Sequence, residues 1–154
     1  MAQSRAKIKG RKERGSFIAI PKIVVESEQY SKLSSHSVKL LIDLSAQYNG
    51  SNNGDLCAAW SMMVKRGWRS KGTLYRAVSE LITTGFILLT RQGGKHKASL
   101  YAVTFKPIDE CKGKLEVKAT VVAPATWKKI VSLPRMRTNV PHISTNQQSY
   151  SPSE

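Results

Sequence analysis

Ser70-Lys71-Gly72-Thr73-Leu74-Tyr75-Arg76-Ala77-Val78-Ser79-Glu80-Leu81-Ile82-Thr83-Thr84-Gly85-Phe86-Ile87-Leu88-Leu89-Thr90-Arg91-Gln92-Gly93-Gly94-Lys95 changes its apolar pattern midway. Leu74, Ala77, Val78, Leu81 and Ile82 recur three and four apart, the spacing of one helix face. Ser70 stands where an N-cap hydroxyl belongs, so the spacing predicts a helix from Lys71 to about Thr84. Gly85 is the stop, because glycine takes the left-handed conformation beyond a helix end at no steric cost. Phe86 to Thr90 then reads as a strand, Gln92-Gly93-Gly94-Lys95 as a turn, and Ala98 to Phe105 as the returning strand.

The reading extends toward the N-terminus. Trp68-Arg69-Ser70 is a turn, and Trp60 to Arg66 is a short helix with apolar Met62, Met63 and Val64, closed by Gly67. Leu56-Cys57-Ala58 is a short extended piece after the turn-rich loop 49–55. Ser34 or Ser35 caps a helix whose apolar face is Val38, Leu41, Ile42 and Leu44, ended by Asn49-Gly50. Ser27 to Leu33 holds a helical turn, and Phe17-Ile18-Ala19-Ile20-Pro21 is an edge strand or an extended arm stopped by proline. Helix, short strand, helix, turn, helix, strand, glycine turn, strand is an α+β order. It is the order of a winged helix-turn-helix, a three-helix core with a β-hairpin wing, flanked here by basic, largely extended tails.

The stretch 73–87 resembles the recognition helix, helix stop and first wing strand of winged helix-turn-helix DNA-binding proteins. It is similar in particular to small proteins of phage, plasmid and genomic-island modules, replication-initiator-like or regulatory. Phe17-Ile18-Ala19-Ile20-Pro21, the stretch 48–55 and Thr90-Arg91-Gln92-Gly93-Gly94 add to the resemblance, which spans about residues 17–110. It implies double-stranded DNA binding and leaves open whether the chain represses a promoter or starts replication.

Composition divides the chain into a basic arm (1–16), the domain (17–110) and an extended C-terminal tail (111–154). The arm sets Arg5, Lys7, Lys9, Arg11, Lys12 and Arg14 against Glu13 alone and cannot order itself by burial. Five prolines follow residue 105, and the chain ends rich in Ser, Gln and Asn. Two pieces stand out there. Leu115 to Val121 alternates like an edge strand, and Trp127 is suited to docking the tail on the domain or on a partner protein.

Twenty-five Lys and Arg against ten Asp and Glu give a formal net charge of +15 in 154 residues. Such self-repulsion is relieved by a polyanion, and nucleic acid is the commonest. No apolar stretch approaches a membrane span, no basic run has a strong apolar face, and the arm lacks a signal h-region. Cys57 and Cys111 are too few for a disulfide scaffold and read as reduced thiols. Together these features point to a cytoplasmic, nucleoid-associated protein.

The expected DNA contacts follow from helix geometry. A helix in the major groove reads bases with side chains near its N-terminus, here Arg69, Ser70, Lys71, Thr73, Tyr75 and Arg76. Arg76 offers a planar fork to guanine. Arg91, Lys95, His96 and Lys97 of the hairpin suit phosphates or a minor groove. Lys65 and Arg66 of the preceding helix and Arg11, Lys12 and Arg14 of the arm are supporting contacts. Of the two neighbouring tryptophans, Trp60 and Trp68, at least one is expected in the core.

Enzyme chemistry finds no scaffold in the sequence. Cys57, Cys111, His36, His96 and His142 are scattered, without CxxC or His-x-His spacing, so no metal, cofactor or catalytic residue is expected. Glu26, Glu28, Asp43, Asp55 and Glu80 are spread, and no phosphate loop occurs. Two other roles fit the charge: a subunit of a larger nucleoprotein assembly that holds nucleic acid non-specifically, and a protein-binding inhibitor or adaptor. Palindromic sites would follow from a homodimer, a common state in this class, but no heptad seam marks an interface.

Overall fold

Residues 15–129 are described by a computed structural model. In chain order they form α1 (Lys22–Val25), α2 (Glu28–Ser31), α3 (Ser35–Ser45), β1 (Leu56–Cys57), α4 (Trp60–Met63), α5 (Lys71–Thr83), β2 (Ile87–Arg91) and β3 (Leu100–Val103). This is an α+β chain with a small antiparallel sheet. A 3₁₀ turn, Val64–Arg66, continues α4. Phe17 to Pro21 is extended and unpaired, and Phe17 is 79% exposed.

Serines start the two long helices. The Ser34 Oγ accepts the Ser37 N–H at 3.3 Å, and the Ser70 Oγ accepts the Thr73 N–H at 3.3 Å. The end of α5 is a Schellman motif. Gly85, at φ 79°, donates to the Ile82 carbonyl at 3.0 Å, and Phe86 donates to Leu81 at 3.0 Å. The Phe86 N–H is thereby spent on the helix, so the ladder of β2 begins one residue later than the apolar run does.

The sheet has the order β1-β3-β2. Ile87 faces Val103 and Leu89 faces Tyr101, but Arg91 faces Leu100, so Thr90 is an extra residue in the ladder. Its hydroxyl donates to the Gly54 carbonyl at 2.6 Å, which fixes the bulge to the loop before β1. The returning strand pairs only over Leu100–Val103 and not over the whole of 98–105.

One core joins these layers. Leu40, Leu41 and Leu44 of α3, Met63 of α4, Leu74, Ala77 and Leu81 of α5, and Ile87, Tyr101 and Val103 of the sheet are buried. In α3 the buried stripe runs through Leu40 in place of Ile42, which is 38% exposed. The helix is rotated because Ser37 and Asp43 also face inward, each with polar partners. Trp68 is in the core, and Trp60 packs against it half-buried. Phe86 sits at the joint of α5 and β2. It meets Tyr30 edge-on at 6.4 Å and stacks on Trp127 at 5.9 Å.

Trp127 thus docks the C-terminal segment onto the domain. Residues 106–129 follow the surface without a strand, held at separate points. The backbone N–H groups of Asp109, Glu116 and Ala125 donate to the carbonyls of Asn53, Thr90 and Thr104 at 2.9, 2.8 and 2.8 Å. The edge strand expected from Leu115 to Val121 does not form, and Val121 is 96% exposed. The bulge at Thr90 interrupts the β2 edge on which such a strand would have to propagate. Buried contacts therefore reach Trp127, beyond the boundary at 110, along a segment with two 3₁₀ turns, Cys111–Gly113 and Thr126–Lys128. The arm residues Arg11, Lys12 and Arg14 lie outside the described residues, as does the chain from 130 to 154.

Asn53, fully buried, is the hub of this arrangement. Its side-chain amide donates to the carbonyls of Val103, Lys106 and Pro107 at 3.0, 3.2 and 2.7 Å, and its Oδ1 accepts the Val103 N–H at 2.9 Å. This buried amide, bonded through both its nitrogen and its oxygen, holds the loop before β1 against the end of β3.

Candidate nucleic-acid interface

The apolar side of α5 is fixed in the core, so its opposite side is open. Lys71, Gly72, Tyr75, Arg76 and Ser79 are exposed there, with Thr73 half-buried. The Arg76 Nη2 donates to the Thr73 Oγ1 at 3.2 Å, which sets the guanidinium along the helix. Lys71 places its ammonium 5.9 Å from the centre of the Trp60 ring. Tyr75 is 76% exposed. It lies beside β3: burial pushes the Tyr101 phenol up, and Cys57 and Tyr75 nearby add to that. The hydroxyl of Ser70 serves the helix cap.

The one acid of α5, half-buried, is engaged by α3. Glu80 Oε1 accepts the Ser34 N–H at 3.0 Å, and Oε2 accepts the Ser34 hydroxyl at 2.6 Å and the Ser37 hydroxyl. Burial opposes its ionisation, but these donors hold the carboxyl below its ordinary range. Glu80 therefore staples α5 to the start of α3, and the outward face of α5 carries no acid over Lys71–Ser79.

The turn before α5 is anchored by Asp43. This carboxylate accepts the Trp68 indole N–H at 2.8 Å, the Lys39 ammonium at 2.8 Å and Arg66 Nη1 at 3.3 Å. Burial raises its pKa, and the Lys39 and Trp68 hydrogen bonds outweigh that and bring it below the ordinary value. Lys65, Arg66 and Arg69 are all exposed, and of the three Arg66 is engaged with the fold through Asp43. Sequence reasoning missed this carboxylate because Asp43 sits on what looks like an ordinary helix surface.

The hairpin divides its own cations. The Gly94 and Lys97 backbones bond each other at 2.9 and 3.1 Å, leaving Lys95 and His96 at the tip, exposed with Lys97. Gly93 admits no side chain, since a Cβ there would lie 2.5 Å from the Ser99 nitrogen. Arg91 is turned inward: its Nη2 donates to the Ala98 carbonyl at 3.0 Å, and its Nε is buried. Two further residues approach α5 from α3. His36 and Lys39 line a cleft of about 190 Å³ with Trp68, Arg69, Ser70 and Thr73. Their three-residue spacing on the polar side of α3 was their only sequence signal.

No group of three or more His, Cys, Asp or Glu that could hold a metal occurs among the described residues. Cys57 and Cys111 are free thiols. No described helix is long and apolar enough to cross a membrane. No protein-family model matches the chain, and no curated protein or solved structure is significantly similar to it.

Proposed function

We propose that the chain binds double-stranded DNA as a winged helix-turn-helix, with α3, α4 and α5 as its helices, α5 as the reading helix and the β2–β3 hairpin as the wing. The observation that carries this reading is the outward face of α5. It is basic, acid-free and held rigidly from behind by Leu74, Ala77, Leu81 and the Glu80 staple. A solvated helix face ordinarily mixes charge signs, and a major-groove face does not. The sheet order and the helix–turn–helix before it support the same reading, as does the net charge of +15.

On this reading the protein is a cytoplasmic binding protein and not an enzyme, acting as a transcriptional regulator or replication initiator of a mobile element. Titrating the full chain into a fluorescent duplex across a salt series tests the first step. The logarithm of the affinity should fall linearly with the logarithm of salt, with a slope set by the number of neutralised phosphates. Absence of duplex binding at low salt contradicts the proposal.

A further inference from the structure

The geometry points to a seat for one backbone phosphate between α3 and the turn that leads into α5. This inference rests on the duplex-binding reading and adds a contact from α3, which the reading itself does not require. The cleft of about 190 Å³ is walled by His36 and Lys39 of α3 and by Trp68, Arg69, Ser70 and Thr73. It continues on the far side of His36 and Thr73 into a second cleft of about 280 Å³ that reaches Arg76. His36 of α3 and Thr73 of α5 thus line both clefts.

The charges sort clearly. Lys39 lies 5.4 Å over the Trp68 ring and bonds Asp43 and the Arg66 carbonyl, so it sits at the floor as a fixed cation already partly neutralised. Arg69 is exposed and makes no hydrogen bond or ion pair among the described residues. His36 is exposed, with its ring 6.1 Å from the Trp68 ring. An imidazole offers at least one N–H donor in either protonation state, and a free guanidinium offers a fork. Ser70 and Thr73 add hydroxyls. Glu80, the acid of the second cleft, is consumed by Ser34 and Ser37. The donors left over match a phosphodiester, and the position beside Arg76 is where a strand flanking the read bases would pass.

The test uses the full chain, a duplex selected by it, and copies of that duplex with one methylphosphonate linkage each. Neutralising one particular linkage should weaken wild-type binding about tenfold, the loss of a charge-assisted contact. His36→Gln and Arg69→Ala, both exposed sites, should keep the wild-type Tm, bind more weakly, and lose sensitivity at that same linkage only. Arg76→Ala should lose base discrimination while keeping the linkage profile. If His36→Gln and Arg69→Ala retain the wild-type profile at every linkage, the phosphate seat is wrong and duplex binding stands. If the wild type binds no duplex, the underlying reading falls and the seat with it.

Discussion

The outward face of α5 and the tip of the hairpin are both cationic, but they are held very differently. The α5 face has a buried apolar stripe behind it, a serine cap at its start and a carboxylate staple to α3. The tip has a single backbone bridge, Gly94 to Lys97, and beyond it Lys95 and His96 in solvent. Reading a base edge requires donors fixed in place, whereas gripping a phosphate tolerates a mobile ammonium. Under the duplex-binding proposal, the difference would assign specificity to Lys71, Thr73 and Arg76 and sequence-independent affinity to Lys95 and Lys97.

The largest loss is expected at the joint of the two regions. Phe86→Ala should cost about 3–5 kcal/mol in urea unfolding, because a fully buried ring is lost between Tyr30 and Trp127. A cost under about 1 kcal/mol would mean that helix and hairpin do not share this core.

The support behind α5 should fail next, and on acidification. Asp43→Ala leaves the buried Trp68 N–H unpaired, at about 1–3 kcal/mol. Asp43 and Glu80 both have folded-state pKa values below their ordinary ones. Their stabilisation is therefore fully present above the ordinary carboxylate range and is lost as pH falls through the folded values. The Tm should be flat from neutral to about pH 5 and drop below about pH 4, less steeply in a double variant Asp43→Asn, Glu80→Gln. A Tm profile identical in wild type and double variant contradicts the assignment.

Substitutions on the two surfaces sharpen the contrast directly. Arg76→Ala should lose about 1–3 kcal/mol at one base pair and relax discrimination there. Lys95→Ala with Lys97→Ala should weaken all duplexes alike and reduce the salt slope by about 2. Equal loss on every sequence for Arg76→Ala would place it with the tip. The smallest binding effect is expected from Arg91→Ala, since that guanidinium serves the Ala98 carbonyl. It should lower hairpin stability by about 0.5–1.5 kcal/mol and leave the salt slope nearly unchanged.

The order of elements was legible because its signals are local. Ser34, Ser70 and Gly85 act within one turn of where they stand, and the glycine turn of the hairpin does too. What was not legible depends on residues far apart in the chain. Asn53 looks like a loop residue until β3 and Pro107 fold around it. Leu115 to Val121 alternates like a strand, but the bulge at Thr90 denies it a ladder. Arg91 carries the same charge as Lys95, and only the hairpin geometry turns it inward. For the candidate interface, the α5 face followed from helix periodicity, whereas the approach of His36 and Lys39 required the crossing of α3 over the turn.

Selection of duplexes from a random pool by the full chain, followed by affinities on single-base-pair variants of the winner, tests whether α5 reads DNA sequence. One recurring motif is expected, bound about a thousandfold or more tighter than random duplex, with discrimination at one base pair abolished by Arg76→Ala. A pool that yields no motif, or a motif indifferent to Arg76→Ala, would contradict sequence reading by α5.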